Sequence, residues 1–503
     1  MNETASPPLL LPAAPEKEPP RDTPLHQALH QYRRYFLLLA GTVGAAWSAC
    51  FTEAGGLGLN AMLYALVWCV CGHLALKRLG LADLRRDGKW YAGIMLLALA
   101  VFWTANRFLQ YVSIVGAVLL QCFWLLDVFA RVADWHFGKA ARAVLMLPFR
   151  ALARCMEPWK DLFSLRGERA GRFKYVLLGL LIAAPLVALV TGLLSEADAV
   201  FSRMVSDLFA YRDLPEHFWT VLRAVAWAAL AGTFFYAALC AQTAEPEPQG
   251  QDACRQADTL VAVTFTAALA AVYLVFCFVQ VTVLFTGNAD ALPQNYTYAQ
   301  YAREGFFELL AVSAINVLLV IVSQRRFKSS RTLRFLLCLI SGCTVLMEVS
   351  SAWRMILYVR AYGLTFLRVL VLWFLGVLAI VLTGAVITVF RPNFRLFRFS
   401  LAVCLAAWLL LCFARPDALA ARYDLQRFGC KQNIMSTIRY EMSKDALSEL
   451  QPYLDTVMDT SSTDLRLYLK EYIPAKYREA GVRGFNYSLW RANLTVEEYL
   501  RGE

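Results

Sequence analysis

Eleven long apolar runs leave this chain little choice of fold. They cover residues 35–52, 57–76, 90–105, 108–130, 174–195, 217–240, 258–284, 305–323, 332–357, 364–390 and 397–413. A membrane-spanning helix needs about 20 predominantly apolar residues, and most runs meet that length. In hydrocarbon each backbone amide must be paired within its own segment, so such runs form helices rather than loops or open strands. The expected fold is all-α: a polytopic transmembrane bundle of about 11 helices with a small helical C-terminal region. Composition agrees, with 59% hydrophobic and 17% charged residues against roughly 25% charged in soluble domains. Runs 90–105 and 108–130 are divided only by Asn106 and Arg107, so they form either a tight hairpin or one broken element.

Basic residues set the expected orientation, because Lys and Arg gather in short cytoplasmic loops. Arg33 and Arg34, then Lys77–Lys89, Arg142–Lys174, Arg325–Arg331 and Arg391–Arg398 alternate onto one side. The intervening loops are poor in Lys and Arg. This places the N-terminus in the cytoplasm and, with an odd helix count, the C-terminus outside. The net charge of +11 is accounted for by these loops, and no nucleic-acid motif accompanies it. Residues 1–34 read as a Pro-rich disordered tail and 35–413 as the transmembrane domain. Residues 414–503 read as a helical extracytoplasmic region, with Ser443 and Thr495 as helix caps. Within the cytoplasmic loop 131–172, Leu145, Phe149, Leu152, Met156 and Trp159 recur at helical spacing between basic residues. Such a helix lies at an anionic lipid surface.

No catalytic signature is present: no nucleophile elbow, no zinc-protease motif, no phosphate loop. Most of the 13 cysteines lie within apolar runs and behave as small hydrophobes. The five histidines are too dispersed along the chain to suggest a metal site. The expectation is a protein without cofactor or metal, and not an enzyme.

Charges inside the apolar runs are the informative residues. A carboxylate in a membrane helix costs about 2.5–3.5 kcal/mol on insertion scales and usually faces protein or water. Glu348 lies between Met347 and Val349, and its side chain is too short to reach the interface. With the orientation above, Glu348, Arg368, Glu308, Arg223 and Gln280 all fall in the outer third of the membrane on five different helices, and Arg354 lies just above Glu348. Glu348 and Arg354 are six residues apart, about 120° off register, so Glu348 looks to another helix for its cation.

Four strings resemble a family of bacterial polytopic membrane proteins known as domain of unknown function 4173. They are Ser195–Phe201, Tyr298–Leu309, Ser350–Tyr358 with Ala361–Thr365, and Ala421–Leu425. The resemblance implies a bacterial cytoplasmic-membrane protein with a helical extracytoplasmic tail, and no particular activity.

Two roles follow. The first is a transporter or small-ligand-binding protein with an outward-facing polar site, Glu348 and Glu308 taking a proton or cation and Arg368, Arg354 and Arg223 a small anionic solute. The second is an envelope sensor or assembly factor that meets an envelope protein through residues 417–503. Membrane lipid is a partner in both.

Overall fold

The computed structural model describes residues 23–52, 55–130, 137–165, 216–244, 257–286, 306–391, 394–454 and 468–502, with scattered positions between 183 and 204 and around 456. The described elements are helical apart from one isolated bridge between Ala257 and Phe327. Eight of the helices are long and apolar enough to cross a membrane. Run 174–195 lies outside the described elements.

A short helix α1 (Pro24–Gln31) precedes α2 (Arg33–Phe51) and α3 (Leu59–Arg78). Next comes a hairpin of α4 (Leu84–Trp103) and α5 (Arg107–Ala130). The sequence leaves the 90–130 stretch open; it is two helices, turned at Thr104–Asn106, where the Asn106 side chain accepts from Leu109 N at 3.1 Å and starts α5. Helix α4 begins with Arg85, Arg86, Asp87 and Lys89, which shortens its apolar part. Helices α6 (Phe137–Ala153) and α7 (Glu157–Ser164) follow, then α8 (Glu216–Ala244). These elements pack into a first group around α2 and α8. The axes of α2 and α8 come close because Gly44 and Gly232 have no side chain: a Cβ on Gly44 would sit 2.1 Å from the Ala228 carbonyl oxygen, and one on Gly232 2.6 Å from that of Ala40. The pairs Ala40/Gly44 and Ala228/Gly232 are the small-residue repeats that let membrane helices touch backbone to backbone.

The second group holds α9 (Thr259–Thr286), α10 (Phe306–Arg326), α11 (Arg331–Tyr362) and α12 (Phe366–Phe390). Helix α13 (Leu396–Ala414) joins the groups, packing on α4 and on α12. Within α10 the fully described apolar stretch runs from Glu308 to Gln324.

Helix α6 carries the amphipathic pattern with its two faces resolved. Ala140, Ala143, Val144, Leu147 and Ala151 are buried against the first group, while Leu145, Phe149, Leu152 and, beyond its end, Met156 are exposed. Among the described residues nothing covers this exposed apolar stripe.

Beyond α13 the chain folds into a cap with its own core of Leu425, Ile434, Ile438, Leu447, Leu450 and Val496. It comprises α14 (Pro416–Phe428), α15 (Gln432–Tyr440), a 3-10 segment Lys444–Tyr453, a π turn Tyr468–Tyr472, α16 (Ile473–Ala480) and α17 (Tyr487–Gly502). Ser443 caps the 3-10 segment, accepting from Asp445 N at 3.3 Å. Thr495 is not a cap: it lies inside α17, where its hydroxyl donates to the Arg491 carbonyl at 3.0 Å. Asn486 starts that helix instead, accepting from Leu489 N at 3.2 Å. The cap closes helix ends at the side opposite the basic loops. Asn486 donates to the carbonyls of Val101 and Thr104 at 3.1 and 2.9 Å, and Leu59 N donates to the Phe485 carbonyl at 2.9 Å.

Lys444 sits in this cap among cations. Burial, helped by the charges of Lys476 and Arg107, pulls its ammonium from an ordinary value of 10.5 down to about 8. The folded state thus sheds this proton first, so stability rises with pH between about 8 and 10.5. The melting temperature of the purified protein is expected to climb across that window, and Lys444→Met is expected to flatten the climb.

Candidate functional site

One face of each of three second-group helices is polar inside an otherwise apolar core. On α9 it is Thr266, Tyr273 and Gln280; on α10 Ser313, Asn316 and Ser323; on α11 Ser341, Thr344, Glu348 and Ser351. All are buried. The positions are three, four or seven apart, so each set lines one stripe of its helix. Hydroxyls that reach no neighbour bond back to their own helix: Thr266 to the Ala262 carbonyl at 2.6 Å, Ser341 to Leu337 and Ser351 to Met347, each at 2.8 Å. Such back-bonding is how serine and threonine are satisfied within a helix.

Across the helices the polar groups form layers. In the first, Tyr273 donates to Asn316 Oδ1 and the Asn316 amide donates to Thr344 Oγ1, both at 2.8 Å, linking α9, α10 and α11. In another, Gln280 Oε1 accepts from Ser350 at 2.7 Å and from Arg354 at 3.1 Å. Glu348 lies one turn beyond Thr344, about 6 Å along the axis, and Ser313 lies about 4.5 Å beyond Asn316 in the opposite sequence direction. The two helices run antiparallel, so Glu348 and Ser313 share the level between the two bonded layers. Both Glu348 oxygens and Ser313 Oγ are buried without a hydrogen-bond partner. Glu348 is 3% exposed, and no ion pair joins it to an arginine among the described residues.

The other residues singled out in the sequence are placed as follows. Gln280 and Arg354 meet each other, next to the Glu348 layer. Glu308 is exposed. Arg368 turns away from the bundle interior: its guanidinium donates to the Tyr362 carbonyl at 3.0 Å and to that of Gly363, and stands 4.2 Å over the Tyr358 ring. There it closes the turn after α11. Gly363 adopts a left-handed φ of 82° with the Asp424 carboxylate where a Cβ would stand, and Asp424 accepts from Leu364 N at 2.7 Å. Burial pushes the Asp424 carboxyl up, while that N–H and the Arg368 charge pull it down. Arg223 is exposed on α8, which belongs to the first group, so it does not converge with Glu348. Position along a helix was readable from sequence; which neighbour each helix has, and which way each side chain points, was not.

Sequence reasoning overlooked Tyr273, Ser313, Asn316 and Thr344. Their signal was available as polar residues spaced three, four or seven apart inside apolar runs, a stripe rather than a scatter. It also set the histidines aside as dispersed. His26 and His30 are four apart on α1, and the fold brings them to Glu157 on α7, with the ligand atoms of all three within 4.8 Å of one another. The helical period and a contact over more than a hundred residues, not chain spacing, made that group.

A cavity of about 430 Å³ opens in the first group, lined by Trp47, Tyr64, Trp68, Trp124, Trp227 and Phe235 among others. It is apolar and shares no lining residue with the Glu348 layers.

No curated protein and no solved structure matches the chain. A family model does, and it carries a different number from the family that the sequence strings resemble: it is DUF4153, not 4173. Matched over residues 91–453 of 503, the chain belongs to the family defined by this domain of unknown function.

Proposed function

We propose that this integral membrane protein is a transporter whose working element is Glu348, which takes up and releases a proton as the second group of helices changes its packing. The observation that carries the reading is the position of Glu348: a buried carboxylate with neither oxygen bonded, in one layer with an unbonded Ser313 hydroxyl, between two layers that are bonded. An unpaired charge in such a place is expensive, and a bound proton or a change of packing that admits water removes the cost. Intramembrane carboxylates of this kind mark proton relays and ion paths. Gln280 and Arg354 stand at the neighbouring layer as the polar exit toward the cap end. The basic end of the bundle, in this reading, faces the cytoplasm of a bacterial cell, and the exposed stripe of α6 rests on the lipid surface.

The test is acid–base infrared difference spectroscopy on the purified protein in lipid, beside proton flux into vesicles. Wild type is expected to show a protonated-carboxyl band that changes with pH and disappears in Glu348→Gln, and that variant to lose about 100-fold or more of the flux, the scale of a lost general acid–base group. A band and a flux unaffected by Glu348→Gln would reject the reading.

A second reading, an envelope sensor, is favoured by the way the cap is keyed through buried aspartates into the ends of α4, α5, α11 and α12. A partner bound to the cap would then act directly on the helix ends. Loss of function on removing the cap, with Glu348→Gln silent, would select it.

A further inference from the structure

We propose that His26, His30 and Glu157 bind a divalent transition ion of the zinc class at the basic end of the helical body. The site clamps α1, the helix before the first span, onto α7 and the end of α8.

The donor spacing suits such an ion. His26 Nε2 and His30 Nε2 face each other at 3.2 Å, with the rings edge to face. Two ligands on one tetrahedral zinc, each at roughly 2.0–2.1 Å, stand about 3.3 Å apart. Glu157 Oε2 lies 3.9 Å from His26 Nε2, so a small side-chain adjustment completes a face of three donors. Two histidines and one glutamate are a known zinc ligand set, leaving a fourth position for water. Imidazole nitrogen selects this class of ion over magnesium and calcium, which prefer oxygen.

The hydrogen bonds around the rings set their tautomers. The Thr243 hydroxyl donates to the carbonyls of Leu239 and Cys240 at 2.9 and 3.2 Å, so it accepts from His26 Nδ1 at 3.1 Å. The Asp161 carboxylate accepts from Tyr236 at 2.5 Å and from His30 Nδ1 at 2.8 Å. Each ring therefore has a proton on Nδ1 and turns its Nε2 toward that of the other ring. Glu157 Oε2, buried and without a hydrogen bond among the described residues, lies beside them. Two imidazole nitrogens and a carboxylate oxygen at this spacing form a donor set for one cation. The outer bonds are those that usually support metal-bound histidines: a carboxylate behind one ring, a hydroxyl behind the other. Arg154 holds the second Glu157 oxygen at 2.7 Å and fixes the carboxylate plane. Thr23 caps α1, accepting from His26 N at 3.2 Å, and its hydroxyl donates to the Thr243 carbonyl. The same three elements thus bring ligands and supports together.

The experiment uses the full chain without a histidine tag, purified in lipid discs, stripped with a chelator and dialysed against zinc. About one zinc per chain is expected, with X-ray absorption showing nitrogen and oxygen neighbours and the outer scattering of imidazole. Affinity should fall by about 100-fold in His26→Ala and His30→Ala, and by about 10-fold in Asp161→Asn, whose lost bond only orients a ligand. Zinc binding equal to wild type in the doubly substituted His26→Ala/His30→Ala chain would overturn the site. So would no binding at all, the result if the rings merely share a proton, or equal binding of magnesium. If the variants fail to fold, the wild-type absorption spectrum decides alone: zinc without imidazole neighbours rejects the proposal.

Discussion

Glu348→Leu is expected to make the protein more stable while abolishing its activity. Leucine nearly matches glutamate in volume, and the core that α9, α10 and α11 share holds Cys277, Cys343 and Met347. Nothing bonded is lost, because neither Glu348 oxygen has a hydrogen-bond partner. Removing an unsatisfied buried polar group in favour of an apolar one of similar shape is neutral or stabilising, here by about 1–3 kcal/mol. Thermal unfolding in detergent, followed by tryptophan fluorescence, would show a raised melting temperature, with Glu348→Gln between wild type and leucine. A lowered melting temperature in Glu348→Leu would mean that the carboxylate holds the three helices together, and would remove the ground for a working role. Natural proteins keep such costly groups where activity needs them, so the combination of gained stability and lost function is the informative result.

Asp445→Ala is expected to have the opposite effect, loosening the cap from the membrane helices. Asp445 is wholly buried. Its carboxylate accepts from the Thr104 hydroxyl and from Ala105 N at 2.9 Å, at the turn of the α4–α5 hairpin, and faces Arg415 at 3.9 Å. Alanine leaves a hydroxyl and an amide without their acceptor and removes the charge facing the guanidinium, which keeps its bonds to the Asp445 carbonyl and the Ser448 hydroxyl. Breaking a buried pair of this kind costs about 3–5 kcal/mol. Asp417 makes the neighbouring contact, taking the Asn106 amide at 2.8 Å. Burial pushes the Asp417 carboxyl up, hydrogen bonds from Ser443 and Asn106 oppose this, and the Asp445 charge adds to it. Part of the loss on removing Asp445 is therefore returned by relief of that repulsion. Limited proteolysis should then cut between Pro416 and Glu503 at a concentration of protease that leaves wild type whole, and Asp445→Asn, which keeps an acceptor, should fall between the two. Equal resistance in all three proteins would show that the apolar cap core alone holds it in place.

Much of the architecture was legible in the chain. Apolar runs of spanning length predicted an all-α membrane bundle, and among the described residues eight of them are helices long and apolar enough to cross a membrane. Basic residues were expected to mark one end of the bundle, and the composition change after Pro416 a separate helical region. The spacing of Leu145, Phe149, Leu152, Met156 and Trp159 predicted one amphipathic helix; α6 ends at Ala153 with the first three exposed, and Trp159 lies half-buried on α7. Local capping was less legible. Ser443 was read correctly, but Thr495 was not, because Thr and Asn offer similar local bonds and only the docking of Asn486 onto Val101 and Thr104 chose between them.

The candidate site divides in the same way. That Glu348 is costly where it stands followed from its neighbours in sequence, since hydrocarbon penalises a carboxylate whatever the fold around it. Its surroundings did not follow. Arg223, Arg368 and Glu348 were expected at similar depths, yet one faces outward from the other helix group, one closes a turn and one is sealed in a core. Likewise His26, His30 and Glu157 share no motif, and they meet because α1 folds back over the loop helix. Length, hydropathy and charge act residue by residue along a helix, so the chain alone determined spans, ends and the cost of each buried group. Partnership depends on which helices are neighbours and on the azimuth of each side chain, which small-residue contacts such as Gly44 against Ala228 set only once the helices have packed.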